Sequence, residues 1–374
     1  MRKKVTLLIF LLFSSVLLGS CSVPVNLRER AIVQAAGIDY EDGRFVLTLQ
    51  EFVPKNSGGS REEIEMSGVY NKTTGKTLLD ALKNAEAKDG NQIFYGQSKL
   101  FLIGKSAAQN GMKEILEFMN SNYQLSQNAS VLLCEENAED ILHTQLFVGI
   151  VPSISIKRIR GCGKAPFVTV IDLLRTCYNL GGNACLPLVR QDGKNSIQIG
   201  GCTVFRDYRP ILTLTEEETQ GLIWLDGDIQ DAALLTQLGD QRVSVNIISE
   251  KTRLSVEKSA QDELILRVSV SAAGIISEID FLNGHEVRRE QIEQVRKNAE
   301  KNIEARIFDA FQKIVTEQRC DLFYLKKRFQ NKDPGFFSAF ESGAKESDGE
   351  AWLSRIRLQT EVRLSIRHSG IQVH

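Results

Sequence analysis

Proline is scarce in this chain, with 7 among 374 residues, and no stretch is rich in proline or glycine. Collagen-like and low-complexity classes are thereby excluded. Histidine is rarer still: the four are His143, His285, His368 and His374. None has a metal-binding partner at helical spacing, so no metal and no cofactor is expected. An excess of one charge is also missing, since 46 Lys and Arg face 47 Asp and Glu. Nucleic-acid binding usually shows as a strongly basic domain, so nucleic acid is not an expected partner. No repeat at a solenoid period is visible. After residue 18, no apolar run approaches the roughly 20 residues of a membrane-spanning helix. What is present is 42% hydrophobic and 25% charged residues, enough to bury real cores. The length suits two or three domains at roughly 150 residues each.

Signatures of catalysis are lacking too. Gly75-Lys76-Thr77 and Gly104-Lys105-Ser106 end like phosphate-binding loops. The glycine required five residues earlier is Tyr70 in one and Lys99 in the other, so both read as turns that start helices. There is no Gly-x-Ser-x-Gly elbow, and no cysteine stands near a histidine that would activate it. Glu216-Glu217-Glu218 reads as the first turn of a helix, where the dipole favours acidic side chains. An enzyme is not expected.

The N-terminus carries an address. Arg2, Lys3 and Lys4 precede Val5–Leu18, a run of 14 uncharged residues whose polar members are Thr6, Ser14 and Ser15. That length fits the core of a signal peptide. Leu18-Gly19-Ser20-Cys21 follows and resembles a bacterial lipobox, in which the cysteine thiol takes a diacylglycerol and becomes the new N-terminus. Cys21 is therefore the expected lipidation site. Losing the leader removes three cations and leaves a mildly acidic body, so the lipid rather than charge must supply attachment to a membrane. Six further cysteines remain: Cys134, Cys162, Cys177, Cys185, Cys202 and Cys320. Four fall between 162 and 202, where one or two disulfides are compatible with the sequence. Cys134 and Cys202 lie in apolar strands and read as buried small hydrophobes.

The rest predicts an α+β, multidomain chain. Ala31–Asp39, a turn at Tyr40–Gly43 and the alternation of Phe45, Leu47 and Leu49 predict a hairpin. Thr77 with Asp80 predicts a helix start, Leu78, Leu82 and Ala85 its buried face, and Gly90 its end. Phe94–Ile103 reads as a strand, and Met112, Ile115, Leu116 and Met119 mark a helix. Val131–Leu133 reads as a strand and Ala138–Leu142 as a helix, completing a layered mixed α/β domain. A smaller middle unit follows: Pro152–Ile156 extended, Val168–Tyr178 helical, Leu186–Val189 and Gly200–Phe205 as strands. In the C-terminal part Val243–Ile247, Leu254–Val256 and Leu264–Val270 alternate like three strands of a meander. A long helix from about His285 to Glu317 is marked by Ile292, Val295, Ala299, Ile303, Ile307, Phe311 and Ile314. The last strand alternates Ile356, Leu358, Thr360, Val362, Leu364 and Ile366. The C-terminal expectation is a βββαβ domain with the long helix packed on an antiparallel sheet. The expected boundaries are 1–20 leader, 21–155 N-terminal domain, 156–238 middle domain and 239–374 C-terminal domain. Arg355, Arg357, Arg363 and Arg367 share the other face of the last strand. They form a candidate docking patch for an acidic partner loop or anionic lipid.

The ordered blocks carry a resemblance. The lipobox at Cys21, AIVQAAGIDYEDGRFVLTLQ with Gly37-Ile38-Asp39, TTGKTLLDAL, FYGQSKLFLIGKSAAQNGMKEILEFM and GGCTVFRDYRPILTLTEEETQGLIWLDGD follow one another. Asp321-Leu322-Phe323, Trp352 and the last strand up to Gly370 come after them. The set resembles the Ger(x)C family of spore germination lipoproteins, the C subunits of nutrient germinant receptors. Two positions depart from it: Ser22-Val23 stands where the family commonly has Trp-Asp, and Cys202 sits within the mid-chain strand. The resemblance implies a non-catalytic, three-domain, lipid-anchored protein on the outer face of the spore inner membrane. It implies integral membrane A and B receptor subunits as partners and a role in receptor assembly or germinant signal relay. The alternative is a lipid-anchored substrate-binding protein of a transporter, which would show two similar lobes.

Overall fold

The computed structural model describes residues 30–52, 68–90, 92–122, 124–144, 163–193, 196–279, 289–343 and 350–367. The leader, Cys21, Pro152–Ile156, Cys162, His285, His368, Gly370 and His374 lie outside them.

Two sheets organise the chain. The first has β1 (Arg30–Glu41), β2 (Arg44–Phe52), β3 (Gly68–Gly75), β4 (Gln92–Phe94), β5 (Leu100–Ile103), β6 (Ser130–Cys134), β7 (Ala184–Gln191), β8 (Ile197–Arg206) and β9 (Arg209–Leu214). Its order is β3-β2-β1-β5-β6-β7-β8-β9, with β4 beside the start of β1. The centre, β1-β5-β6-β7, is parallel, and the flanks are antiparallel. Parallel strands are covered on both faces, so they read as continuous apolar runs. Leu100–Ile103 and Ser130–Cys134 are buried at every residue. Helices α1 (Leu78–Asp89), α2 (Lys105–Ser121) and α4 (Val170–Asn179) pack on one face, and α3 (Ala138–His143) on the other. Thr77 caps α1 as expected, accepting from the Asp80 N–H, and Gly90 closes it in the left-handed conformation.

The hairpin β1–β2 forms as expected, with Asp42 and Gly43 both at positive φ in the turn. Strand β3 was not expected. Its inward positions include Asn71 and Thr73, which are polar, so apolar alternation does not reveal it. Their side chains donate to the Ala85 and Ala81 carbonyls of α1 at 3.3 and 2.8 Å. The expected strand Phe94–Ile103 is divided into β4 and β5.

Asp39, 1% exposed, ties β1 to α3. Its carboxylate accepts from the backbone N–H groups of Ala138 at 2.8 Å and Glu139 at 3.1 Å. Burial pushes the carboxyl above the ordinary range, and the two N–H donors pull against that shift. Space for it is left by Gly104, where a Cβ would stand 1.8 Å from Oδ1. Asp39→Ala is expected to destabilise the fold by about 2 to 4 kcal/mol, because two backbone donors, one buried and one half-buried, lose a charged acceptor. Asp39→Asn, which keeps one oxygen, should recover part of the loss in urea unfolding.

The strands expected in a separate middle unit do not form a sheet of their own. Leu133 and Cys134 of β6 pair with Leu188 and Val189 of β7, and β8 and β9 extend the same sheet. The backbone groups along β6 need a partner, and β7 supplies it. Helix α5 (Glu216–Asp226), from the same expected unit, packs instead into the core of the second sheet.

The second sheet has the order β10 (Ala232–Leu238), β11 (Gln241–Lys258), β12 (Leu264–Ile279), β13 (Arg357–Arg367). The βββαβ order holds, with two changes of detail. The stretch 243–256, read as two strands, is one continuous strand, and the first strand is β10. That strand escaped notice because Ala233 and Leu235 on its outer side are apolar too, which erases the alternation. The sheet is also not wholly antiparallel: β13 runs parallel to β12. The helical region between them brings the chain back to start β13 at the same end as β12.

Helix α6 (Arg289–Phe311) and the widened turn Gln312–Glu317 carry the expected stripe. Val295, Ala299, Ile303, Ile307, Phe311 and Ile314 are all buried. The helix also closes both sheet edges. Asn302 and Asn298 donate to the Leu235 and Gln237 carbonyls of β10, both at 2.8 Å. The Leu364 N–H of β13 donates to Glu300 at 2.8 Å. Unpaired edges invite strand addition, and these side chains occupy them. Helices α7 (Leu325–Lys332) and α8 (Pro334–Gly343) complete the core with Phe329, Phe337 and Trp352.

Candidate docking surface

With α5 and α6 on its inner side, the second sheet leaves its other face open. The structure keeps three of the four singled-out arginines on it. Arg357, Arg363 and Arg367 occupy exposed positions of β13. Arg355 departs from the ladder: it ends the helical turn Ala351–Arg355 before the strand, so strand alternation does not set its direction.

Cross-strand register adds cations that the sequence did not single out. Lys251 and Ser271 stand beside Arg363, Arg253 and Ser269 beside Glu361, Ser255 and Arg267 beside Gln359. No signal in the sequence marks this, because it depends on which strands pair and in what register. Six cations thus share the face: Lys251, Arg253, Arg267, Arg357, Arg363 and Arg367. Arg267 pairs with Glu257 at 3.1 Å, Arg357 with Glu263 at 2.9 Å and Arg363 with Glu361 at 2.5 Å. Exposed pairs of this kind contribute about 0 to 1 kcal/mol each, so their role in stability is small. Lys251, Arg253 and Arg367 form no ion pair among the described residues. Ser249, Ser255, Ser269, Ser271, Ala273 and Ser365 separate the long side chains with short ones.

The segments tested for catalysis have structural work. Gly75-Lys76-Thr77 ends β3 and caps α1, and Gly104 precedes α2. Glu216, Glu217 and Glu218 form the first turn of α5, with a reciprocal cap between Thr215 and Glu218. His143 lies in the last turn of α3, its Nδ1 2.8 Å from the Glu139 carbonyl and its ring against Tyr70. No group of three or more His, Cys, Asp or Glu among the described residues is arranged to hold a metal ion. Cys134, Cys177, Cys185, Cys202 and Cys320 are free thiols. Burial pushes Cys177, Cys202 and Cys320 up to about 12, where the nucleophilic thiolate is scarce at neutral pH.

Comparison with known proteins accounts for nearly the whole body. Residues 24–191 match the family described as "Spore germination protein N-terminal domain", and residues 200–370 match "Spore germination B3/ GerAC like, C-terminal". The chain belongs to the Ger(x)C family of spore germination proteins. Among Ger(x)C relatives, spore germination protein KC of Bacillus subtilis (strain 168) is 25% identical over 317 residues, 75% of this chain and 76% of the relative. Spore germination protein B3 of the same organism is 20% identical over 350 residues, 90% of each. The crystal structure of the GerBC protein superposes with a TM-score of 0.57 at 17% identity, over 88% of this chain and 96% of that one. That likeness carries the fold. Ger(x)C proteins are germination proteins and not enzymes.

The boundary between the two matched Ger(x)C regions falls at 192–199, from the end of β7 into the first residues of β8. It therefore cuts through the first sheet. The β8–β9 hairpin belongs to the C-terminal match, yet it hydrogen-bonds to β7. Phe205 enters the first core, while Cys202, Val204 and Leu214 enter the second. Asn183 donates to the Asp321 carbonyl at 3.3 Å, which joins the two regions further, and within the C-terminal region Arg206 of β8 donates to the Gln318 carbonyl at 2.7 Å.

Proposed function

We propose that this Ger(x)C chain is the lipid-anchored, non-catalytic C subunit of a spore germinant receptor. A lipid on Cys21 holds it at the outer face of the spore inner membrane. It acts beside integral membrane A and B subunits, in receptor assembly or in relaying germinant binding. The observation that carries this reading is the ordered match of both family regions over residues 24–191 and 200–370. The lipobox ending at Cys21 supports the anchor. Among the described residues no helix is long and apolar enough to cross a membrane, so attachment through a lipid suits the chain. The transporter-binding alternative calls for two similar lobes, and a nine-stranded mixed sheet beside a four-stranded one does not offer them.

Cys21→Ala is expected to move the protein from the membrane to the soluble fraction with its circular dichroism unchanged. A variant still sedimenting with membranes would overturn the anchor. Co-purification of the wild type with two integral membrane subunits tests the receptor role. Tight binding of a small ligand by the isolated chain would favour the transporter reading instead.

A further inference from the structure

We propose that the open face of β11, β12 and β13 rests on the headgroups of an anionic phospholipid bilayer and sets which way the tethered body is turned. The proposal rests on the lipid-anchor reading above. The whole chain has a net charge of −1, yet this face carries six cations against Glu257, Glu263 and Glu361. The charge is therefore segregated, and complementary to an anionic surface. The three cations that form no ion pair among the described residues, Lys251, Arg253 and Arg367, come from both outer strands of the face.

The chemistry favours headgroups over an acidic protein. A protein interface is usually centred on aromatic or large apolar anchors in pockets. The exposed large apolar side chains among the described residues are Val69, Leu79, Tyr178, Leu235 and Phe308; Leu235 is on the outer side of the neighbouring β10, and none stands on β11, β12 or β13. Along β13 the cations run from Arg357 to Arg367, a distance of roughly 33 Å at strand rise. Mobile lipids can gather under charges spread so widely, whereas a folded partner would have to match each one. Arginine and lysine stems also reach beyond the short serines between them. The tether makes a weak contact effective. Arg30 follows Cys21 by nine chain steps, so the start of β1 stays within roughly 30 Å of the anchor. At that range the local lipid concentration is high.

The test uses the full lipidated chain on vesicles, with a fluorophore on Ser269→Cys and the unsubstituted chain as the labelling blank. One vesicle set is phosphatidylcholine alone, the other contains three parts in ten phosphatidylglycerol, and both carry a headgroup nitroxide quencher. Quenching is expected on the anionic vesicles and not on the neutral ones. It should be lost in high salt. Lys251→Gln with Arg253→Gln and Arg367→Gln should reduce the face-down population on the order of a hundredfold, at about fivefold per cation. Equal quenching on both vesicles, or quenching that survives the triple variant, overturns the proposal. So does a face that becomes shielded only when another protein is added. Failure to float with neutral vesicles would instead mark failure of the lipid anchor, a separate result.

Discussion

Replacing Gly221 by valine is expected to lower the thermal midpoint by roughly 10 °C. Gly221 lies in α5 where it crosses α6. A Cβ at this position would stand 2.0 Å from the Arg306 carbonyl oxygen, 2.7 Å from its carbon and 2.8 Å from the Ala310 Cβ. The obstacle is mainly helix backbone, so no side-chain rotation relieves it. The two helices would have to separate. The residues after Gly221, Leu222, Ile223, Trp224 and Leu225, are all buried in the second core, so separation opens that core. Overpacking costs about 1 to 3 kcal/mol and more where nothing can shift. In larger domains each kcal/mol moves the midpoint by about 2 to 4 °C. Scanning calorimetry checks the result, with Gly221→Ala expected to fall between valine and the wild type. A valine variant that melts with the wild type would refute the close crossing.

The second large effect is expected from cutting the chain in the exposed turn between β7 and β8. A piece ending at Gln191 and a piece starting at Ser196, which keeps β8 whole, correspond closely to the two family regions. Each should be largely insoluble when made alone. The first would expose β7 along the whole ladder from Ala184 to Gln191. The second would carry β8 and β9 as a hairpin without the sheet they extend, with Phe205 stripped of its core. Two-stranded hairpins are marginal in water, and open edges aggregate. Made together, the pieces should associate and elute as one soluble species by size exclusion. Independent solubility of both would show that the sheet is not shared.

These two predictions concern features of unequal legibility. Local pattern was readable wherever a single element buries one face against the core. The stripe from Val295 to Ile314 on α6, the alternation of Val362 and Leu364 on β13, and the Thr77 cap could all be seen, because each depends on neighbours within a few residues. Pattern failed where the inward side is polar, as in β3 with Asn71 and Thr73, or where both sides are apolar, as in β10. The cationic face was half visible. Arg357, Arg363 and Arg367 stood out on their own strand. Lys251, Arg253 and Arg267 joined them only when β11 and β12 took their places beside β13, and Arg355 dropped out because the strand starts later.

The sequence by itself determined the class of fold, the order of most elements and the resemblance to a germination family. All of these are written in short-range spacing or in the order of blocks along the chain. Only the tertiary structure decided that β7, β8 and β9 complete the first sheet, that β13 runs parallel to β12, and that α6 closes both edges of the second. Strand partners are chosen by hydrogen bonds between residues far apart in the chain, and any strand offers the same backbone groups. The choice therefore rests on how the whole core packs, which no local window of residues records.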